Sequence, residues 1–283
     1  MNNFSLKIKQ LFKLSRPRFW FYLGGPFMVG FVAGVDSLQS FNYLFFVLLF
    51  YFLIPANIML YGVNDIADEA VDVLNSKKEG KEMRVDEKNR NFVKFWVILS
   101  LVVSMGVFFF ISKGNYLLMT LFLFLSVFYS LHPMRFKTIP FLDFLSNTLY
   151  IMPGIIAFYE VTKTLPNIFF ILSAVAWAGA MHLFSAILDI EPDKKAGIMT
   201  TAVFLGLQKS LWLCFILWFF SWVLVFSTGF LGNLIYVFLI YPILPLYILI
   251  NKKADLNRIY WLYPYINTIL GFILFMFIFK KLF

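Results

Sequence analysis

Apolar runs of about 17–25 residues, separated by short polar breaks, recur along the whole chain, and this is the length an α-helix needs to cross a hydrocarbon layer about 30 Å thick. Nine runs predict nine spans, at about Phe19–Val35, Phe41–Val63, Phe92–Ile111, Tyr116–Leu131, Phe141–Tyr159, Pro166–Leu188, Leu211–Thr228, Leu231–Ile250 and Ile259–Phe279. The pattern is that of an all-α membrane protein with nine transmembrane helices. Lys7, Lys9, Lys13, Arg16 and Arg18 precede the first run, and no small-residue cleavage site follows it, so it reads as a retained helix and not as a cleaved signal peptide.

Composition removes the soluble alternative. The 283 residues are 61% hydrophobic and 14% charged, with 38 Phe and a mean hydropathy of +0.82, more apolar surface than a water-soluble core of this length could hide. With the N-terminus in the cytoplasm, 20 of the 24 Lys and Arg fall on the inner side, which predicts an N-in, C-out multi-pass protein of the cell (inner) membrane. The net charge of +9 is then a topology signal, and no basic domain or aromatic platform exists to bind nucleic acid. Residues 1–283 read as a single domain, with a cytoplasmic arm at 1–18 and cytoplasmic loops at 64–92 and 189–210.

Seven of the 15 acidic residues crowd into Asn64–Asp72 and Asp189–Asp193. One aspartate at the centre of a spanning helix costs about 2.5–3.5 kcal/mol, so these carboxylates belong at an aqueous boundary or in a polar cavity. At about 100° per residue Asp65 and Asp72 fall within about 20° of each other and Asp68 about 60° away, with Asn64 on the edge of that arc and Asn57 and Tyr61 below it. A solvated helix end would explain one cluster. An Asp-lined secondary transporter or cation channel would use the same residues but leaves unexplained why both clusters fall on one face beside a basic rim.

So many carboxylates can accept an anionic substrate only with divalent cations between them, and Mg²⁺ favours one or two carboxylates plus water and phosphate oxygens. Lys77, Lys78, Arg84, Arg135, Lys137 and Lys194 could clamp the outer phosphate oxygens. Other chemistries lack their residues: Cys214 is the single cysteine, His132 and His182 are too few for a zinc or haem set, and GxxxxGK[ST], GxGxxG and GxSxG are absent. Acidic clusters, a basic rim and abundant aromatic side chains suggest an allylic isoprenyl diphosphate as substrate. Asp143, opening the fifth span, either orients Arg135 or Lys137 or caps the helix.

NDxxDxxxD at Asn64–Asp72 and DxxxD at Asp189–Asp193, ending the second and sixth spans, resemble the UbiA superfamily of intramembrane prenyltransferases, over nearly the whole chain. Ser15-Arg16-Pro17-Arg18-Phe19-Trp20, Tyr129-Ser130 with Pro133 and Arg135-Phe136-Lys137, and Asp189–Gly197 followed by Thr200-Thr201 look like the carotenoid-directed branch, the lycopene elongase/hydratase type. Leu74-Asn75-Ser76-Lys77-Lys78 departs from the Arg- and Pro-containing stretch of many relatives. The resemblance implies nine helices around a central cavity, with Asp65, Asp68, Asp72, Asp189 and Asp193 on Mg²⁺, and Asn64, Asn57, Arg16, Lys77, Lys78, Arg135, Lys137 and Lys194 on the substrate. It also implies an allyl cation, for which Tyr129, Tyr150 and Tyr61 are candidate stabilisers. The expected reaction is dimethylallyl transfer to lycopene or a related carotenoid within the bilayer; an aromatic quinone precursor is the alternative acceptor. No buried Lys or Arg is expected inside a predicted span, Lys94 standing at the start of the third, which favours an apolar acceptor.

Overall fold

The computed structural model describes residues 3–69, 85–251 and 253–283. Among these every regular element is helical, and six helices are long and apolar enough to cross a membrane: Tyr43–Ala67, Arg90–Val107, Ile168–Ile187, Thr201–Ser227, Gly232–Ile250 and Leu256–Leu282. Shorter helices fill the first, fourth and fifth predicted spans. The chain forms two compact units, 1–135 with 152–163 and 279–283, and 136–151 with 164–278.

The first unit contains α1 (Asn3–Leu14), α2 (Trp20–Gly34), α3 (Tyr43–Leu53), α4 (Pro55–Ala67), α5 (Arg90–Val107), α6 (Tyr116–Phe128) and α7 (Met152–Thr162). Asn42 starts α3 by accepting hydrogen bonds from the Leu44 and Phe45 amides at 3.0 and 3.3 Å. The second predicted span is broken at Ile54, because Pro55 has no N–H to continue the ladder. The side-chain amide of Asn57 donates instead to the Phe52 and Leu53 carbonyls at 2.8 and 3.0 Å. α2 and α7 cross where a Cβ on Gly30 would stand 2.0 Å from the Gly154 carbonyl oxygen, so only glycine allows the two backbones this close.

Just beyond the fifth predicted span, Glu160 ties α7 to the loop before α6. It accepts from the Ser112 amide and hydroxyl and the Asn115 amide on one oxygen, and from Lys163 on the other, at 2.8–3.0 Å. Burial pushes its carboxyl up, but the bonds from Lys163, Ser112 and Asn115 outweigh this and hold it below the usual carboxylate range. A depressed folded-state pKa stabilises the fold above the unfolded carboxyl's pKa and is lost as pH falls through the folded value. Glu160→Gln should therefore lower the melting temperature at neutral pH, and the gap from the native chain should close in acid.

The second unit contains α8 (Ile168–Ile187), α9 (Ile190–Lys195), α10 (Thr201–Ser227, kinked at Gly206), α11 (Ile240–Ile250) and most of α12 (Leu256–Phe279). Its core stacks Trp218 on Tyr263 with ring centres 5.2 Å apart, and Phe184 meets Tyr263 edge-on at 4.8 Å. The fifth predicted span is not one helix. A turn at Leu142–Leu145 and a 3₁₀ stretch at Ser146–Tyr150 belong to the second unit, and α7 belongs to the first. Ser146 and Asn147 donate side-chain hydrogen bonds to the Asp143 carbonyl and Thr148 to that of Leu145, competition that disrupts a regular helix. The 189–210 segment, expected as a loop, holds α9 and the first turns of α10.

Candidate active site

The first acidic motif begins in the last turn of α4 with Asn64 and Asp65, and its described part continues through Asp68 to Glu69. A Cβ on Gly62 would stand 2.4 Å from a Val97 methyl, so this end of α4 lies tightly on α5, and Leu14, Ile58, Val63, Val93 and Val97 share one apolar cluster beneath the motif. Above that cluster the polar side chains have partners distant in sequence. The Asn64 side-chain amide donates to the Ser130 hydroxyl at 2.9 Å. Arg16 donates to Asp65 at 2.5 Å, with the arginine 9% and the aspartate 1% exposed, and its guanidinium lies 4.6 Å from the centre of the Tyr61 ring. Arg135 reaches Asp68 at 3.3 Å. Arg90 grips both Glu69 oxygens, with its Nε at 3.2 and 3.0 Å.

Arg16 and Arg135, the two arginines on motif aspartates, both have left-handed backbones, with φ of 49° and 42°. For a side chain other than glycine this costs about 1–2 kcal/mol, a strain that persists where the surroundings impose it and that concentrates at functional sites.

The second motif is built from the ends of three helices. Asp189 precedes α9, and α9 closes on Gly197, whose φ of 71° lets its N–H reach the Lys194 carbonyl and the Ile198 N–H reach that of Asp193. Thr200 then starts α10, accepting from the Val203 amide at 3.3 Å and donating to Asp193 at 3.5 Å. Its neighbour Thr201 donates its amide to Asp143 at 2.8 Å and its hydroxyl to the other Asp143 oxygen. Asp143, 0% exposed, is thus a carboxylate at the N-terminus of α10, where the helix dipole favours it. Through the Thr200-Thr201 pair it fixes the residue that holds Asp193. Of the two roles expected for Asp143, orienting Arg135 or Lys137 or capping a helix, these bonds to Thr201 match the second, at the start of α10. Asp143→Ala would strand two buried donors at about 1–3 kcal/mol each, so it should lower the melting temperature in detergent well beyond the Asp143→Asn change, which keeps one acceptor oxygen.

Other expectations are redistributed. Asn57, expected on the substrate, is fully buried and spends its amide on the Phe52 and Leu53 carbonyls beside the helix break. Tyr61, a candidate cation stabiliser, has its ring under Arg16 and against Phe19, with ring centres 5.5 Å apart. Arg16, expected on the diphosphate, is bonded to Asp65, and Arg135 to Asp68. Tyr129 is half-buried just after α6, Lys137 is half-buried, and Lys194 is exposed on α9. Asp72, Lys77 and Lys78 lie outside the described residues. Ser130 and the Thr200-Thr201 pair stand in the sequence as motif residues without a role; a threonine heading an apolar run is the one local signal that could have marked the cap of α10.

Taken within its own unit, each motif's carboxylates suit a divalent cation shared with a substrate rather than a closed cage. Among the described residues no three Asp, Glu, His or Cys side chains converge closely enough to hold a metal by themselves. Asp68, Asp189 and Asp193 are only partly buried, and Mg²⁺ takes one or two carboxylates and completes its shell with water and phosphate oxygens. Asp65, expected on the metal, is buried and bonded to Arg16.

The description of the UbiA prenyltransferase family matches residues 23–260. A lycopene elongase/hydratase of Haloferax volcanii is 41% identical over 263 residues, covering 92% of this chain and 85% of that protein. One from Halobacterium salinarum is 39% identical over 271 residues, covering 94% and 95%. Among solved structures, a UbiA homologue from Archaeoglobus fulgidus bound to DMAPP and Mg²⁺ superposes with a TM-score of 0.74 over 96% of this chain and 99% of its own, at 22% identity.

Proposed function

Since this chain belongs to the UbiA prenyltransferase family and is a prenyltransferase of the membrane, we propose that it transfers a dimethylallyl group from its diphosphate to lycopene or a related carotenoid, in a Mg²⁺-dependent reaction. The observation that carries the acceptor is the 41% identity to a lycopene elongase/hydratase across 92% of the chain. The one Lys or Arg within the nine predicted spans, Lys94, is exposed near the start of α5, and this supports the reading, because no buried cation is placed to receive the carboxylate of an aromatic acid inside the bilayer. The cation count of the sequence supports an N-in, C-out orientation.

In this reading Asp68, Asp72, Asp189 and Asp193 hold Mg²⁺, with Asn64 beside the diphosphate. When bound, Mg²⁺ supplies positive charge for the departing diphosphate. Lys77, Lys78, Lys137 and Lys194 take outer phosphate oxygens, and Arg135 joins them from Asp68. The allylic C–O bond breaks with its electron pair going to the diphosphate. The terminal alkene of the carotenoid then forms the new C–C bond, and the resulting tertiary cation loses a proton, or gains water and loses a proton. Apolar walls keep bulk water from the first cation, and Tyr129 offers its ring face to it.

The test is the purified protein in vesicles with Mg²⁺, labelled dimethylallyl diphosphate, and lycopene or 4-hydroxybenzoate. Label should enter a carotenoid heavier by one or two C5 units and not the aromatic acid. Prenylation of the aromatic acid with no carotenoid product would reject the acceptor and leave prenyl transfer intact.

A further inference from the structure

The reaction makes no use of α1, which is built for a surface that the protein itself does not supply. At 12 residues it is about 18 Å long, too short to cross a bilayer. One edge of its apolar face belongs to the protein: Leu14 is buried among Ile58, Val63, Val93 and Val97, and Leu11 packs on them. The other edge does not, since Ile8 and Phe12, one turn apart, are 53% and 56% exposed. Lys7, Lys9 and Lys13 are exposed around it, Arg18 follows, and α1 carries no acidic residue. Six residues after Leu14 the chain enters α2, a predicted span, so this face stands at a membrane boundary.

The end of α1 is also wired to the first acidic motif. The Ser15 hydroxyl donates to the Phe12 carbonyl at 2.9 Å, and the Trp20 indole donates to the Ser15 carbonyl at 3.0 Å and meets the Phe12 ring edge-on at 5.6 Å. Between Ser15 and Trp20 lies Arg16, left-handed and bound to Asp65. Seating α1 therefore seats Arg16.

We propose that α1 docks on anionic lipid headgroups through Lys7, Lys9 and Lys13, with Ile8 and Phe12 entering the bilayer surface, and that this docking holds Arg16 on Asp65 and so sets the activity of the diphosphate site. The charge is complementary, and amphipathic basic helices bind such surfaces by burying apolar side chains while cations meet headgroups. The coupling to activity rests on the prenyl-transfer reading; the docking does not.

Cys214 is buried, so Ile8→Cys can carry an environment-sensitive dye in the full chain. In vesicles of phosphatidylcholine mixed with phosphatidylglycerol the dye should report an apolar, quencher-protected setting. It should do so much less in phosphatidylcholine alone, at high salt, or when Lys7→Gln, Lys9→Gln and Lys13→Gln are combined. Identical dye signals in both lipids would overturn the docking and point the face at another partner. Prenyl transfer should rise about five-fold or more with phosphatidylglycerol, the effect of roughly one lysine at an anionic surface, and the triple variant should lose that response. A lipid-responsive dye with lipid-independent turnover would overturn the coupling. No turnover in any vesicle would count against the prenyl-transfer reading, and the dye would still decide the docking.

Discussion

Asp68→Asn and Asp193→Asn should each lower prenyl transfer by about 10²-fold or more, the usual loss when one electrostatic stabiliser of a developing charge is removed. The two sites should fail for different local reasons. Asp68 is half-buried and accepts from Arg135 at 3.3 Å, a bond that an asparagine oxygen can still accept, so its amide variant should fold normally. Asp193 is oriented by Thr200 at 3.5 Å, and an asparagine can still accept that bond, so this variant too should keep its melting temperature. Chelation should abolish turnover of the native chain and added Mg²⁺ should restore it. Full activity of either variant in excess chelator would end the metal reading.

Arg16→Ala should be the most destabilising single change at the site. Asp65 is almost fully buried, and removing one partner of a buried ion pair costs about 3–5 kcal/mol because the remaining charge has no compensation. Against a typical total stability of 5–15 kcal/mol that is a large fraction. Replacing the pair together, as Arg16→Met with Asp65→Leu, should recover most of the melting temperature, since buried pairs exchanged for apolar side chains are often neutral or stabilising. The double variant also decides what Asp65 does. A folded double variant that retains activity within about tenfold makes Asp65 a structural anchor, whereas a folded but inert one would return its carboxylate to the chemistry.

These two predictions differ in how far the sequence could have produced them. Asp68 and Asp193 stand out in the chain because carboxylates are rare in apolar runs, and that rarity is a local property. The role of Asp65 is not local. By helical angle it belongs with Asp72, yet it turns to an arginine 49 residues earlier in the chain. Asn57 misleads in the same way: it lies on the polar arc of α4 but is spent on the Phe52 and Leu53 carbonyls, a role visible only once the helix is seen to break at Ile54.

By itself the sequence determined where the chain is helical and apolar, because lipid offers no hydrogen bonds and each spanning backbone must satisfy its own within one segment. The ends of α3, α9 and α10 are also fixed by groups close in sequence, since Asn42, Gly197 and Thr200 act within a few residues, although the apolar pattern alone placed α9 and the start of α10 in a loop. Tertiary structure alone decided which charges meet: Arg16 with Asp65, Arg135 with Asp68, and Asp143 with Thr201. It also decided that the fifth apolar run is divided between two units. The physical reason is common to these cases. In a membrane chain both lipid-facing and core-facing sides of a helix are apolar, so hydropathy does not say which face is buried against protein, and an ion pair is chosen by distance in space, which folding sets.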